Sequence, residues 1–256
     1  MVERCLSIVT TGQIADPAQG GPAGPQAPGC RSAERALQAV AFDAIGARYS
    51  AAFPAKAGQL AAGQRLLDEL PTGAAVLDIG CGIGDPTTLQ LAAGGLDVTA
   101  IDLSDGMLTL ARRHLPDAAR YHRMDMYDLA TERAEKAWGL PQLGPAGAGS
   151  FDAVTAFFSL ILLPQDEIPL MLDRIRTLLR PGGLLVLGMV EADLDHYPLL
   201  FLGQEIRITG YLREELVQLL HLAGFTVEAC SDRPYAPACT ALPPEEQLFL
   251  HCRRTV

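Results

Sequence analysis

This sequence predicts an α/β fold with a mostly parallel sheet, on three observations. Strand-like and helix-like runs alternate from about residue 75 to residue 190, the pattern of a parallel sheet wrapped by helices. The first such strand, Val76 to Ile79, runs through Gly80-Cys-Gly-Ile-Gly84 straight into a helical segment. The second, Asp97-Val-Thr-Ala-Ile-Asp102, ends in a carboxylate that lies 18 residues after Gly84.

Taken in order, residues 1–30 are rich in Pro and Gly and bury too little apolar area to offset their ordering entropy, so a flexible tail is expected. Residues 31–70 read as a helical lid. Ala36, Leu37, Val40, Ala41 and Ile45 follow a 3.6-residue period, Phe53-Pro54 breaks it, and a second helix runs from about 57 to 70. Residues 71–256 then form the main domain. A strand over 75–79 leads to a helix over 86–93, with Asp85 as its cap and Pro86 in its first turn. A strand over 97–101 leads to a helix over 105–114 capped by Ser104. Strands over 120–124 and 151–156 flank a Pro/Gly-rich loop at 140–149. A helix over 166–179 and a strand over 183–189 complete the alternation. The remainder reads as a helix from 211 to 222 stopped by Gly224, then strands over 225–230 and 247–253.

The glycine spacing decides between cofactors. A dinucleotide fingerprint, G-x-G-x-x-G, would need glycine at 85 or 87, where Asp and Thr stand. The chain instead carries D-x-G-x-G-x-G from Asp78 to Gly84. This stretch, with Asp102-Leu-Ser-Asp-Gly-Met107 and Leu179-Arg-Pro-Gly-Gly183, closely resembles the motifs of class I S-adenosylmethionine-dependent methyltransferases, over roughly residues 70 to 190. The resemblance implies a Rossmann-like, seven-stranded sheet in the order 3-2-1-4-5-7-6, with the last strand antiparallel. It implies S-adenosyl-L-methionine as cofactor, with Asp78, Gly80, Cys81, Gly82 and Gly84 among the residues that bind it. By the same resemblance Asp102 holds the ribose, Leu103 and Met107 pack on adenine, and Asp125 and Met126 take the adenine edge, with Asp128 a rival for Asp125. Phe157, after the fourth strand, and Tyr49, near the end of the first helix, offer aromatic faces to a sulfonium. Phe42 reads as helix core, and Phe201 and Tyr211 as residues that either line an acceptor pocket or simply pack.

Composition limits the acceptor. The net charge of −10 repels phosphate backbones, so neither DNA nor RNA is expected as a partner. No run of 18 apolar residues and no signal-peptide core are present, so neither a membrane partner nor export is expected, and the localisation reads as cytoplasmic. The six cysteines have no C-x-x-C spacing and no clustered histidine, so no metal is expected. A small-molecule acceptor remains, methylated on O or N by a monomer or homodimer. Ile161-Leu162 stands where many members of the resembled family carry histidine, which suggests an apolar acceptor pocket. The base candidates fall in Glu191-Ala-Asp-Leu-Asp-His-Tyr197, read as a loop: His196 for its intrinsic pKa and Glu191 for its place at a strand tip. The alternative reading is a protein that binds the same cofactor without methyl transfer, since fold does not fix function.

Overall fold

A computed structural model describes residues 28–239 and 242–255; most of the expected tail over 1–30 lies outside them. Seven strands form one sheet: β1 (Ala75–Ile79), β2 (Asp97–Asp102), β3 (Arg120–Arg123), β4 (Phe151–Phe157), β5 (Leu179–Val190), β8 (Phe225–Tyr235) and β9 (Glu245–Arg254). Their order is β3-β2-β1-β4-β5-β9-β8. The first five are parallel, and β9 runs antiparallel between β5 and β8. This is the expected order, with the last strand inserted beside the fifth.

Two strands lie outside that sheet. β6 (Leu194–Phe201) and β7 (Gln204–Gly210) form a separate antiparallel hairpin, where the sequence reads as a loop around 191–197. Its two-residue turn is Leu202-Gly203, both at positive φ.

The helices are α1 (Pro28–Ile45), α2 (Arg48–Ala52), α3 (Ala57–Glu69), α4 (Thr87–Ala93), α5 (Asp105–His114), α6 (Glu132–Lys136), α7 (Ile168–Leu178) and α8 (Arg213–Leu222). Strand periodicity divides the core into two layers. Val76, Ala153, Leu184 and Val186 face α3 and α4, packing with Leu66 and Leu91. Their neighbours Leu77, Val154, Leu185 and Leu187 face the other side, under α7 and α8. There α7 buries Ile168, Met171, Leu172, Ile175 and Leu178, one helical stripe.

Ser104 caps α5 as expected, its hydroxyl accepting from the Met107 N–H at 3.0 Å. Asp85 does not cap α4. Pro86 occupies the capping position, with no side-chain hydrogen bond, and Asp85 is exposed.

Candidate active site

The carboxyl ends of parallel strands gather loops into a crevice, and here they open into one cavity under α1 and the β6–β7 hairpin. α1 is tied down by polar contacts that sequence alone does not reveal. Asp43 of α1 accepts from the Ser104 hydroxyl at 2.5 Å and the Gly106 N–H at 2.8 Å. Gln38 donates to the Leu162 carbonyl at 2.9 Å and accepts from the Arg207 N–H of the hairpin at 3.1 Å. Arg35 donates to Asp125 at 2.9 Å and to Glu167 at 3.0 Å, with all three side chains largely buried.

Asp78 and Asp102 line the half of the cavity nearest β1 and β2, and Asp102 holds the glycine turn. Asp78 is 2% exposed, and its two oxygens accept from the Thr88 and Thr155 hydroxyls at 2.6 and 2.8 Å. Burial pushes its pKa up to about 6 despite those donors. Asp102 accepts from the Gly82 N–H at 2.8 Å and the Ser104 N–H at 2.9 Å. Burial raises its pKa too, against the opposing effect of those backbone donors.

The glycines have separate reasons. Gly82 has φ +56° and a Cβ there would meet nothing within 4 Å, so the backbone lies open to the cavity. A Cβ on Gly80 would strike Ser159 at 2.4 Å. Gly84 is buried against Leu115 and Tyr121 and does not line the cavity, so its expected contact with cofactor is corrected to a packing role.

Of the other expected residues, Cys81, Leu103, Met107, Asp125, Met126, Phe157 and Tyr49 all reach the cavity. Asp125 carries both the Arg35 pair and the Tyr127 N–H at 3.0 Å. Its rival Asp128 lies outside, held by Arg133 and the Trp138 indole.

The other half of the cavity is aromatic. Tyr49 stacks on Phe53 with centroids 5.2 Å apart, Phe53 on Phe201 at 5.7 Å and on Tyr235 at 5.6 Å. Phe42 meets Phe201 at 6.2 Å and lines the cavity, so it is not merely helix core. Leu199, Ile206 and Ile208 of the hairpin and the Ile161-Leu162 pair add aliphatic surface. Tyr211 packs away from the cavity, its hydroxyl donating to the Gln165 carbonyl at 3.2 Å.

Both expected bases are displaced. His196 does not line the cavity; it sits in the hairpin at φ +50°, its backbone N–H on the Thr209 hydroxyl and its ring 3.5 Å from Glu34. Burial lowers its pKa. His196 falls in an irregularity of the hairpin, between the Leu194 and Tyr197 pairings, with its ring beside Glu34 of α1. Glu191 also lies outside, bonded to the Arg213 backbone at 3.2 Å and to its guanidinium at 3.0 Å. Sequence reasoning missed Lys56, Glu245 and Gln247, which do line the cavity and belong to no motif.

Residues 76–183 match the family model described as "Methyltransferase domain". The ubiquinone biosynthesis O-methyltransferase of Xanthomonas axonopodis pv. citri (strain 306) is 31% identical over 181 residues, covering 65% of this chain and 69% of that protein. The chain belongs to the S-adenosylmethionine-dependent methyltransferases. This methyltransferase is also 37% identical to the magnesium-protoporphyrin O-methyltransferase of Rhodobacter capsulatus over 108 residues, 41% of this chain and 40% of that one. Its fold is shared by the 1,6-didemethyltoxoflavin-N1-methyltransferase of Burkholderia thailandensis, solved with 1,6-didemethyltoxoflavin and S-adenosylhomocysteine. There the TM-score is 0.65 at 22% identity, over 96% of this chain and 99% of that one. The methyltransferase takes S-adenosylmethionine as its cofactor.

Proposed function

We propose that this methyltransferase places S-adenosylmethionine in the motif half of the cavity and methylates a small, apolar, planar acceptor held in the aromatic half. The observation that carries the reading is that both halves form one cavity, with a stacked aromatic wall beside the glycine turn. The names of two relatives support it: a ubiquinone biosynthesis O-methyltransferase and a magnesium-protoporphyrin O-methyltransferase.

The residues fit the cofactor. Gly82 leaves a cradle that a Cβ would fill, and Asp102, already oriented by two N–H donors, has lone pairs left for ribose hydroxyls. Asp125, fixed by Arg35, and Met126 offer an acceptor and an apolar surface to adenine. Lys56 reaches the cavity over the Tyr49 ring, 5.0 Å from its centroid, and has no ion-pair partner among the described residues; it is suited to a carboxylate. Asp78, Gly80 and Cys81 shape the floor, and Leu103, Met107 and Phe157 the walls.

When bound, S-adenosylmethionine supplies an electrophilic methyl group on a sulfonium. The protein's part is positioning and exclusion of water: orienting two reactants can lower a barrier by about 7–11 kcal/mol. The aromatic faces of Tyr49 and Phe157 favour positive charge beside them. A net charge of −10 favours neither DNA nor RNA as acceptor. Among the described residues no helix is long and apolar enough to cross a membrane. We read the acceptor as a cytoplasmic metabolite and the enzyme as a monomer or homodimer.

The test is turnover of isotopically labelled S-adenosylmethionine with a panel of aromatic hydroxyl and amine acceptors, product identified by mass spectrometry. Label transfer to a planar acceptor is the expected result. Cofactor binding without transfer to any acceptor would favour the non-methylating alternative.

A further inference from the structure

The cavity holds a carboxylate that the cofactor half does not use. β9 runs antiparallel to β5, with Gln247 opposite Val190 at the carboxyl end of β5. Its first residue, Glu245, therefore stands beyond that end, at the edge of the sheet where the site lies, and opposite Tyr235 of β8. Glu245 and Gln247 point the same way, two residues apart on one strand, and both line the cavity. The Gln247 amide donates to Oε1 of Glu245 at 2.6 Å.

What distinguishes Glu245 is an oxygen that receives no donor. Asp78 accepts one threonine hydroxyl on each oxygen, Asp102 one backbone N–H on each, and Asp125 Arg35 on one and the Tyr127 N–H on the other. Asp85, the remaining cavity carboxylate, is exposed. Glu245 has neither an ion-pair partner nor, on Oε2, a hydrogen-bond donor among the described residues. A carboxylate in an aromatic box keeps its charge at a cost unless something donates to it. The wall beside it is the stacked set Tyr49, Phe53 and Tyr235.

We propose that Glu245 is the general base of this methyltransferase and that its acceptor is a planar ring bearing a hydroxyl, which donates to Oε2. The proposal rests on the cofactor reading given above. In the step, the acceptor O–H bond breaks and its proton passes to Glu245. The oxygen's electron pair forms the new O–CH3 bond. The S–CH3 bond breaks, its electrons returning to sulfur, and S-adenosylhomocysteine, the methyl ether and a proton, later released to water, are the products. Gln247 positions the carboxylate by fixing Oε1. The titratable groups facing Glu245 are the phenols of Tyr49 and Tyr235; of the two cations that line the cavity, Arg35 is paired with Asp125 and Glu167, and Lys56 lies over the Tyr49 ring. Burial raises the Glu245 pKa above its ordinary value, which strengthens it as a base, and Gln247 opposes that shift. Both phenols are raised as well and so stay neutral at working pH.

The experiment compares the full-length protein with Glu245→Gln, an isosteric change. Three readouts are taken: S-adenosylhomocysteine affinity by calorimetry, kcat for 2-naphthol, and kcat for 2,4-dinitro-1-naphthol, whose hydroxyl is ionised at neutral pH. The expected result is unchanged cofactor affinity and a 10²–10⁴-fold lower kcat with 2-naphthol. The ionised substrate should lose less than about tenfold, since it has no proton to give. The acidic limb of the wild-type pH profile should vanish in the variant. Equal losses on both substrates, or none on 2-naphthol, would overturn the base assignment. Wild-type protein that binds cofactor and methylates neither naphthol would overturn the acceptor class. Wild-type protein that does not bind S-adenosylhomocysteine would instead overturn the cofactor reading beneath it.

Discussion

Asp102 does two jobs at the level of single residues. It fixes the glycine turn through Gly82 and the start of α5 through Ser104, and it offers its remaining lone pairs to the cavity. Asp102→Ala is expected to weaken cofactor binding at least tenfold in calorimetry, because hydrogen bonds to a charged acceptor contribute about 1.5–3 kcal/mol each. It should also lower Tm, since two buried N–H groups lose their acceptor. Gly82→Val should abolish binding while leaving most of the stability, because the added atoms enter open cavity rather than core and only the backbone at φ +56° resists them. Normal affinity in that variant would mean the turn does not face the cofactor.

Asp78 gives a residue-scale pH prediction. Its folded pKa, about 6, lies above the unfolded carboxylate value. Between roughly pH 4 and 6 the folded state therefore holds the extra proton, and this group's contribution to stability falls as pH rises through that window. Asp78→Asn cannot ionise. The difference in Tm between Asp78→Asn and wild type should move in the variant's favour, by about 5 °C, as pH goes from 4 to 7. A difference that stays flat across the window would contradict the raised pKa.

At the scale of elements, α1 is held over the cavity by side chains. Arg35 neutralises Asp125 and Glu167 and lies 4.2 Å over the Tyr127 ring. Arg35→Ala would leave the largely buried Asp125 without its cation and Glu167 with Arg31 alone, at 3.4 Å, a loss of about 3–5 kcal/mol for a buried pair. Urea denaturation should show it, and proteolysis should cut first within α1. The hairpin makes a separate prediction. Replacing residues 194–210 by a short Gly-Ser linker should spare cofactor affinity and remove acceptor turnover, since Leu199, Phe201, Ile206 and Ile208 line only the aromatic half. The hairpin was also what the sequence concealed. Its turn needs positive φ at two residues, for which Asn-Gly is the usual signal, yet Leu202-Gly203 supplies it. Without that signal, Asp195, His196 and Tyr197 read as a polar loop with a histidine to spare. β1 and β2 were legible because largely apolar runs lead into the Gly80 turn and the Asp102 carboxylate. Glu245 was not, because only the pairing of β9 with β5 brings it to the site.

For the molecule as a whole, cofactor and fold are one equilibrium. A ligand at a hundred times its dissociation constant adds about 2.7 kcal/mol. S-adenosylhomocysteine at that excess should raise Tm by about 5–10 °C. NAD, for which the glycine spacing is wrong, should leave Tm where it was. The acidic surface predicts no shift of a DNA or RNA duplex in gels at physiological salt. Most of the motif half of the cavity comes from one stretch of chain, residues 76 to 126, with Phe157 and Lys56 added from outside it, whereas the aromatic half draws on segments from Phe42 to Gln247 and needs the whole tertiary structure.

The strand order also sets a schedule for birth on the ribosome. β5 is synthesised with its Leu184–Val190 edge bare, and its neighbour β9 follows only after the hairpin, α8 and β8 have emerged. At about 5–20 residues per second, that edge waits roughly three to thirteen seconds. An uncovered apolar strand is a template for pairing with a neighbouring chain. Nascent chains stalled before residue 245 should be strong clients of ribosome-bound chaperones, and those released there should precipitate.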